Sequence, residues 1–422
     1  MGAGYGSGMP AVVLLLPTTS YRADDFLAAA ARLGVEVIVA SDRCQVLAEA
    51  WPLGSLPLQL RDAEAAAELL SREVRADQPL AVIGVDDQTA LVAALASAQL
   101  GLPHNPPEAV QAARNKLTSR EKLREAGLPV PWFRAVERDG LVDLAALEAP
   151  YPCVVKPLVL SASRGVIRAD DLAGLEAAHA RVAALLRSPR VAERRDPALQ
   201  QILIEEFIPG PEVALEGLLQ NGRLHVLALF DKPDPLDGPF FEETLYVTPS
   251  RWPAPLQAQI AQAATDAAAA LGLREGPIHA ELRLSPLGPR ILEVAARSIG
   301  GLCGRALRFG VGVSLEELLL RHALEPGALP PLREARASGV LMLPIGRGGV
   351  LQEVRGVEAA RAVPGVTELV ITAHLHEELL PLPEGASYLG FAFARGETPA
   401  EVEVALRAAG ALIDVRVAPK LF

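Results

Sequence analysis

The first hundred residues alternate between unbroken apolar runs and segments of helical spacing. AVVLLL at 11–16 reads as a buried strand. Residues 24–33 place Phe26, Leu27, Ala30, Ala31 and Leu33 on one helical face, and Gly34 stops that helix. A second buried strand is expected over 35–40 and a third over 80–85. Helices are expected over 62–74, with Asp62 as cap, and over 88–100. Strands without polar alternation, separated by helices, mean a parallel sheet covered on both faces. Such sheets bind ligands beyond the carboxyl ends of their strands. Here that edge carries residues 18–20, Asp42 and Asp86-Asp87.

The pattern changes near Pro103. Prolines cluster at 103, 106 and 107, and a charged helix follows around 116–125. Short strands are expected at 151–156 and 202–207, with a helix at 181–186 and a polar loop at 188–197 between them. Residues 213–219 and 224–230 read as a hairpin about Asn221-Gly222, a strong turn signal. An Ala-rich helix over 256–271 precedes two strands, 278–284 and 290–296, that flank a turn at 285–289. Pro330-Pro331 marks a boundary. The tail mixes strands at 339–343, 366–372 and 388–394 with a helix at 399–409.

The strands around residues 285–289 carry the most chemistry. If Leu284 pairs with Arg290 across a five-residue loop, Glu281 lies directly opposite Glu293. Opposed positions on one face have Cβ atoms about 5 Å apart. Alternation then gathers His279, Glu281 and Arg283 with Ile291, Glu293, Ala295 and Arg297, and sends Ala280, Leu282, Leu292 and Val294 to the core. Facing carboxylates repel, and a divalent cation between them removes that cost. Magnesium takes carboxylate oxygens plus substrate phosphates, so a nucleotide-bound ion fits. The plain alternative is a solvated charged face with Arg283 neutralising one Glu. Arg297 and the Gly-rich turn Ser298-Ile299-Gly300-Gly301 weigh against it, because they add a cation beside an anion-friendly backbone.

Lys156 ends the run CVVK, where a strand can aim it at a phosphate. The following LVLSASRGV offers Ser161, Ser163, Arg164 and Gly165 to a loop that can close over phosphates; alone, it is also a plain surface loop. Lys116 opens the charged helix and, by itself, is a solvated lysine. IEEFIPGPE at 204–212 combines apolar residues for an adenine with acids for ribose hydroxyls, and equally suits an edge strand with solvated acids. His374 and His376 have the spacing of one strand face but no further metal ligands.

Composition narrows the classes. Half of the 422 residues are hydrophobic and 22% are charged, which excludes disorder as the main state. The net charge of −11 argues against a nucleic-acid partner, which needs a basic footprint. Cys44, Cys153 and Cys303 form neither a disulfide framework nor a zinc set, which suits a reducing compartment. Charges or prolines interrupt every apolar stretch, so no membrane span is expected and the protein reads as cytoplasmic. Residues 1–10 read as a flexible tail and lack the Ser or Thr of a myristoylation signal. GSGMPA at 6–11 matches a dinucleotide fingerprint on paper but precedes the first strand instead of following it, and no Walker A run exists.

Taken in order, NKLTSREKLREAGLPVP, PCVVKPLVLSASRGV, ILIEEFIPGPEVALEGLL and the pair HAELRL and ILEVAARSIGG resemble the ATP-grasp superfamily, over residues 103–325. The resemblance implies an α/β and α+β protein. An N-terminal parallel-sheet (pre-ATP-grasp) domain would cover 11–112, and a two-lobed ATP-grasp domain 113–330 with its lid at about 131–208. A small C-terminal α+β domain would cover 331–422. It implies that Lys116, Lys156, Ser161, Ser163 and Arg164 hold ATP phosphates. Glu205, Glu206, Phe207 and Ile208 would frame adenine, and Glu212 would take the ribose. Glu281 and Glu293 would bind Mg2+ or Mn2+, and Arg297 would stabilise the transferred phosphoryl group. Ala295 departs from an Asn frequent in the family, and the phosphate loop has only Gly165. FDKPDPLDGPFFEETLYVTPS and the tail look most like the L-amino-acid ligase branch. That likeness implies Glu243, His279, Gly300 and Gly301 at the substrate, with Tyr246 where some members have His. It implies small carboxylate and amine substrates, amino acids among them, joined through an acyl phosphate, and a homodimer, since members are often dimers. A carboxylase component, a purine-pathway ligase, a nucleotide-binding module without catalysis and a scaffold or structural protein are the competing readings.

Overall fold

The computed structural model describes residues 11–17, 20–42, 55–74, 80–140 and 142–420. The 1–10 segment, Thr18, Thr19 and Cys44 lie outside the described residues.

The apolar N-terminal runs form a four-stranded parallel sheet in the order Ser55–Pro57, Glu36–Ser41, Ala11–Leu15, Leu80–Gly84. Ala11–Leu15 is fully buried, as a central strand covered on both faces must be. Gly34 ends the helix Ala23–Leu33 in the left-handed region at φ 65°, and Asp62 caps Ala63–Glu73 through the Ala65 N–H. Asp86 caps Asp87–Leu100 in a reciprocal capping box with Thr89. That cap fixes Asp86 and Asp87 at the carboxyl edge of Leu80–Gly84, facing the rest of the molecule.

A second, antiparallel sheet orders Phe133–Glu137, Gln201–Glu206, Cys153–Pro157 and Ile167–Ala169. The helix Leu172–Arg187 covers it and is longer than the 181–186 segment expected. The expected polar loop at 188–197 holds a short helix, Pro189–Ala192, because Pro189 at its first position is preorganised for a turn of helix.

The third sheet has eight strands: Gly288–Ala295, Gly276–Ser285, Glu212–Gln220, Arg223–Lys232, Leu245–Thr248, Ala337–Leu343, Gly390–Gly396 and Val366–Ile371. Asn221 (φ 51°) and Gly222 (φ 79°) close the tight hairpin between the third and fourth of these. Strands before and after Pro330-Pro331 thus share one sheet through the Leu245–Thr248 pairing with Ala337–Leu343. A three-stranded sheet, Glu378–Leu379, Gly349–Arg355 and Asp414–Ala418, completes the tail. His374 and His376 are exposed in a turn beyond Val366–Ile371, not on a strand face, because the chain has already left the sheet.

The acidic hairpin is built differently from the five-residue loop expected. Ser285 pairs with Gly288, which leaves Pro286-Leu287 as a two-residue loop. Arg283 then faces Arg290 and Leu282 faces Ile291. A β-bulge between Glu281 and Leu282 restores the register, so Glu281 faces Glu293, Ala280 faces Val294 and His279 faces Ala295. The bulge also exchanges two neighbours. Ile291, expected beside Glu293, packs in the core with Leu282 and Val294, whereas Leu292 turns to the cleft.

Candidate active site

Two chambers meet along the face of the eight-stranded sheet. The first is a slot of about 130 Å3 between the four-stranded antiparallel sheet and the eight-stranded sheet. Its apolar walls include Val154, Phe207, Ile208, Phe241 and Leu292. Lys116, Lys156, Ser161 and Ser163 line it with Glu205, Glu206, Glu212, Glu243, Glu281, Arg283, Glu293 and Arg297. The second, about 270 Å3, opens toward the N-terminal sheet edge. Its lining includes Tyr21, Asp86, Asp87, Met342 and Tyr388, with His279, Gly300 and Gly301. Ser161, Ala162, Glu243, Glu281 and Arg297 line both chambers.

Of the residues that the resemblance assigned to nucleotide, metal or substrate, all but Arg164 line one chamber or both. The Arg164 Nε donates to the Glu384 carbonyl at 2.8 Å, away from the slot. The next peptide turns the same way, with the Gly165 N–H donating to the Pro383 carbonyl at 2.9 Å. Ala162, Ser163 and Gly165 all have positive φ, so the loop turns sharply after Ser161, Ala162 and Ser163, which line the slot, and takes Arg164 and Gly165 to the 383–384 segment.

Lys116 is the first residue of the helix Lys116–Glu125, whose start the Asn115 side chain caps by accepting from the Leu117 and Thr118 N–H groups. Its Nζ donates to the Leu160 carbonyl at 2.8 Å and lies 3.4 Å from Glu293. Lys156 is buried in an ion pair with Glu205. Burial and the neighbouring Arg120 outweigh that carboxylate and bring the Lys156 ammonium down to about 8. Glu205 resists the upward push of burial because Arg120, and then Lys156, hold it ionised. Phe207 stacks near Phe241, with ring centroids 6.3 Å apart, and Arg168 and Arg283 sit over its faces.

Arg120, read in the sequence only as part of a charged helix, is 2% exposed. It donates to Glu205 at 2.6 and 3.3 Å and to the Leu292 carbonyl at 2.9 Å. It therefore ties the strand Gln201–Glu206 to the bulged strand Gly288–Ala295 of the acidic hairpin. Glu216 was also missed. Fully buried, it accepts from the Ile299 N–H at 3.0 Å and anchors the turn 298–301. It also lies 3.1 Å from His279 Nδ1, while His279 Nε2 lies 3.4 Å from Glu281. Burial would lower the His279 pKa, but these two carboxylates raise it to about 9. Arg297 forms a bidentate pair with Asp87 at 2.9 and 3.2 Å. A sheet-edge position thus supplies the partner of the strand-end cation.

Lys232 is the third missed residue. Its ammonium bonds Glu212 at 2.6 Å, contacts Glu243, and lies 3.6 Å from Glu281. Tyr246 donates to Glu243 at 2.7 Å, and Arg283 donates to Glu212 at 3.2 Å. Alternation could have flagged Lys232, because a lysine at the end of an apolar strand run repeats the CVVK pattern.

Residues 27–104 match the ATP-grasp N-terminal domain, 149–306 the ATP-grasp domain and 341–418 the L-amino acid ligase C-terminal domain 2. The chain is 33% identical over 320 residues to carnosine synthase 1 of Gallus gallus, covering 71% of this chain and 34% of that protein. It is 27% identical over 243 residues to alanine–anticapsin ligase of Bacillus subtilis, covering 54% of this chain and 50% of that one. The crystal structure of an L-amino acid ligase from Bacillus licheniformis superposes with a TM-score of 0.81 at 27% identity, over 98% of this chain and 100% of that one. The chain spans between a third and two thirds of the length of curated relatives it matches. The order of motifs, the two-chamber cleft and these likenesses agree: the chain belongs to the ATP-grasp superfamily and carries the C-terminal domain of its L-amino acid ligases.

Proposed function

We propose that the protein is an ATP-dependent carboxylate–amine ligase that joins amino acids, releasing ADP and phosphate. The observation that carries this reading is the junction of the two chambers at Glu281 and Arg297. One chamber suits a nucleotide, with apolar walls and lysines at its inner end. The other suits small polar substrates. A phosphoryl group at the junction passes from one chamber to the other without leaving the protein.

In this reading adenine lies between Phe207, Ile208 and Leu292, and Glu212 accepts from the ribose hydroxyls. Lys116 and Lys156 neutralise charge on the phosphates, and the Ser161 and Ser163 hydroxyls donate hydrogen bonds to them. Arg164 acts through loop position, not through phosphate contact. Glu281 and Glu293, opposed across the hairpin, offer the hard oxygen donors that Mg2+ or Mn2+ prefers. A divalent ion held there would neutralise charge on the β- and γ-phosphates. The substrate carboxylate attacks the γ-phosphorus in line; ADP leaves, giving an acyl phosphate. An amine then attacks the acyl carbon, forming the amide and expelling phosphate. Arg297, held by Asp87, stabilises charge on the transferred group, and Glu243 receives the amino group of a substrate. Positioning and charge neutralisation supply the catalysis, so no nucleophilic side chain is needed. The relatives' names favour amino acids as substrates.

ADP release is expected to require a carboxylate and an amine together. A pairwise amino-acid panel with phosphate detection and mass spectrometry of products tests this. ADP formed with bicarbonate alone would move the protein to the carboxylase reading. Glu293→Gln is expected to lower turnover by at least about 100-fold, as loss of a transition-state charge contact does, with an unchanged circular dichroism spectrum. Full activity in that variant would remove the metal assignment.

A further inference from the structure

Three carboxylates converge behind the junction of the chambers. Among the described residues, Glu212, Glu243 and Glu281 bring oxygens within 4.8 Å of one another. Each comes from a different strand or loop, and each has its own outer partner. Arg283 reaches Glu212 at 3.2 Å, Tyr246 donates to Glu243 at 2.7 Å, and His279 lies 3.4 Å from Glu281. What they share is Lys232, whose side chain is 2% exposed. An ammonium has three N–H donors and no acceptor, so it suits a cage of three carboxylates. The Tyr246 ring closes the fourth side, 4.9 Å from the Lys232 Nζ. Glu212, Glu243 and Glu281 outweigh the effect of burial and hold this ammonium protonated. On the neighbouring strand Ala295, opposite His279, adds no ligand atom.

We propose that Lys232 is a positioning residue that serves as the fixed cation of this site: it holds Glu212, Glu243 and Glu281 together where a divalent ion would otherwise have to sit. Divalent metal is then confined to the outer side of Glu281, toward Glu293. Lys232 also sets the spacing between Glu281 at the nucleotide and Glu243 in the substrate chamber. A monovalent cation suits that task, because it is covalently tethered and cannot be lost with product. This inference deepens the ligase reading, but its principal test does not use the reaction.

The test counts Mn2+ bound to the full chain, with Mn2+ alone as probe, by electron paramagnetic resonance of the free ion. Lys232→Met is expected to bind one more Mn2+ per chain than the natural protein, and Lys232→Arg the same number as the natural protein. An unchanged count in Lys232→Met, or a gained ion in Lys232→Arg, would overturn the proposal. Should Lys232→Met fail to fold, Glu243→Gln in the natural background decides: the Mn2+ count is expected to stay the same, and loss of an ion overturns the proposal. In turnover assays Lys232→Met is expected to raise the Mg2+ concentration for half-maximal rate about tenfold, the effect of ~1.4 kcal/mol, with Lys232→Arg restoring it. If no amino-acid pair supports turnover, the ligase reading fails while the Mn2+ count still stands.

Discussion

At the scale of single residues, the site depends on charges that burial makes costly and neighbours restore. Lys156 is the clearest case. Its ammonium falls to about 8 because burial and Arg120 outweigh Glu205. A triphosphate placed beside it would favour the charged form and raise that value. Nucleotide binding is therefore expected to take up a proton above pH 8, and affinity to decline as pH rises through that point. Calorimetry in buffers of different ionisation enthalpy checks this, and Lys156→Arg should abolish the proton uptake. The sign for folding is the opposite. The folded value lies below the unfolded one, so the unfolded chain binds more protons between them. The Lys156 contribution thus makes the protein more stable as pH rises from about 8 to about 10.4.

At the scale of elements, the bulged hairpin decides whether the acids meet. Glu281 and Glu293 were legible as a facing pair because apolar and charged positions alternate so regularly along both strands. The bulge was not legible, since it depends on a two-residue turn and on the partner of the Leu292 carbonyl. That partner, Arg120, lies on a helix 172 residues away in sequence. Local pattern marks Arg120 as one more charge on a solvated face; only the tertiary contact reveals it as buried. The same limit hid Glu216, whose partners His279 and Ile299 are distant in sequence; Lys232 has the local mark of a strand-end lysine, but its three carboxylate partners were not readable from it. By contrast, the Asn221-Gly222 turn and the Lys116–Glu125 helix were readable, because their signals are local. Arg120→Ala is expected to destabilise the protein by about 3–5 kcal/mol, the cost of removing one partner from a buried ion-pair cluster, with Lys156 alone left beside Glu205. Urea denaturation followed by tryptophan fluorescence measures it. Arg120→Lys should recover only part of the loss, because one ammonium cannot span both Glu205 oxygens and the Leu292 carbonyl.

At the scale of the whole molecule, the loop that lines the slot with Ser161 and Ser163 is fastened to the tail. The Arg164 and Gly165 bonds to the 383–384 segment are joined by a bidentate pair between Arg181 and Glu384 at 2.7 and 3.0 Å. The tail's motifs suggested relatives, yet this contact could not be read from them, since it joins segments more than 200 residues apart. Arg164→Ala is expected to speed hydrogen exchange at the Gly165 amide and to raise KM for ATP about tenfold, the loss of one charge-assisted hydrogen bond. Unchanged exchange at Gly165 would show that the fastening does not control the loop.

The eight-stranded sheet has a further consequence. The strands that carry the acidic hairpin connect, through Leu245–Thr248, directly to Ala337–Leu343. A fragment cut at residue 331 would therefore end on a naked strand with unpaired amides and carbonyls. Such an edge recruits other chains. The truncated chain should precipitate or polymerise during expression, even with every residue of the cleft wall before the cut intact.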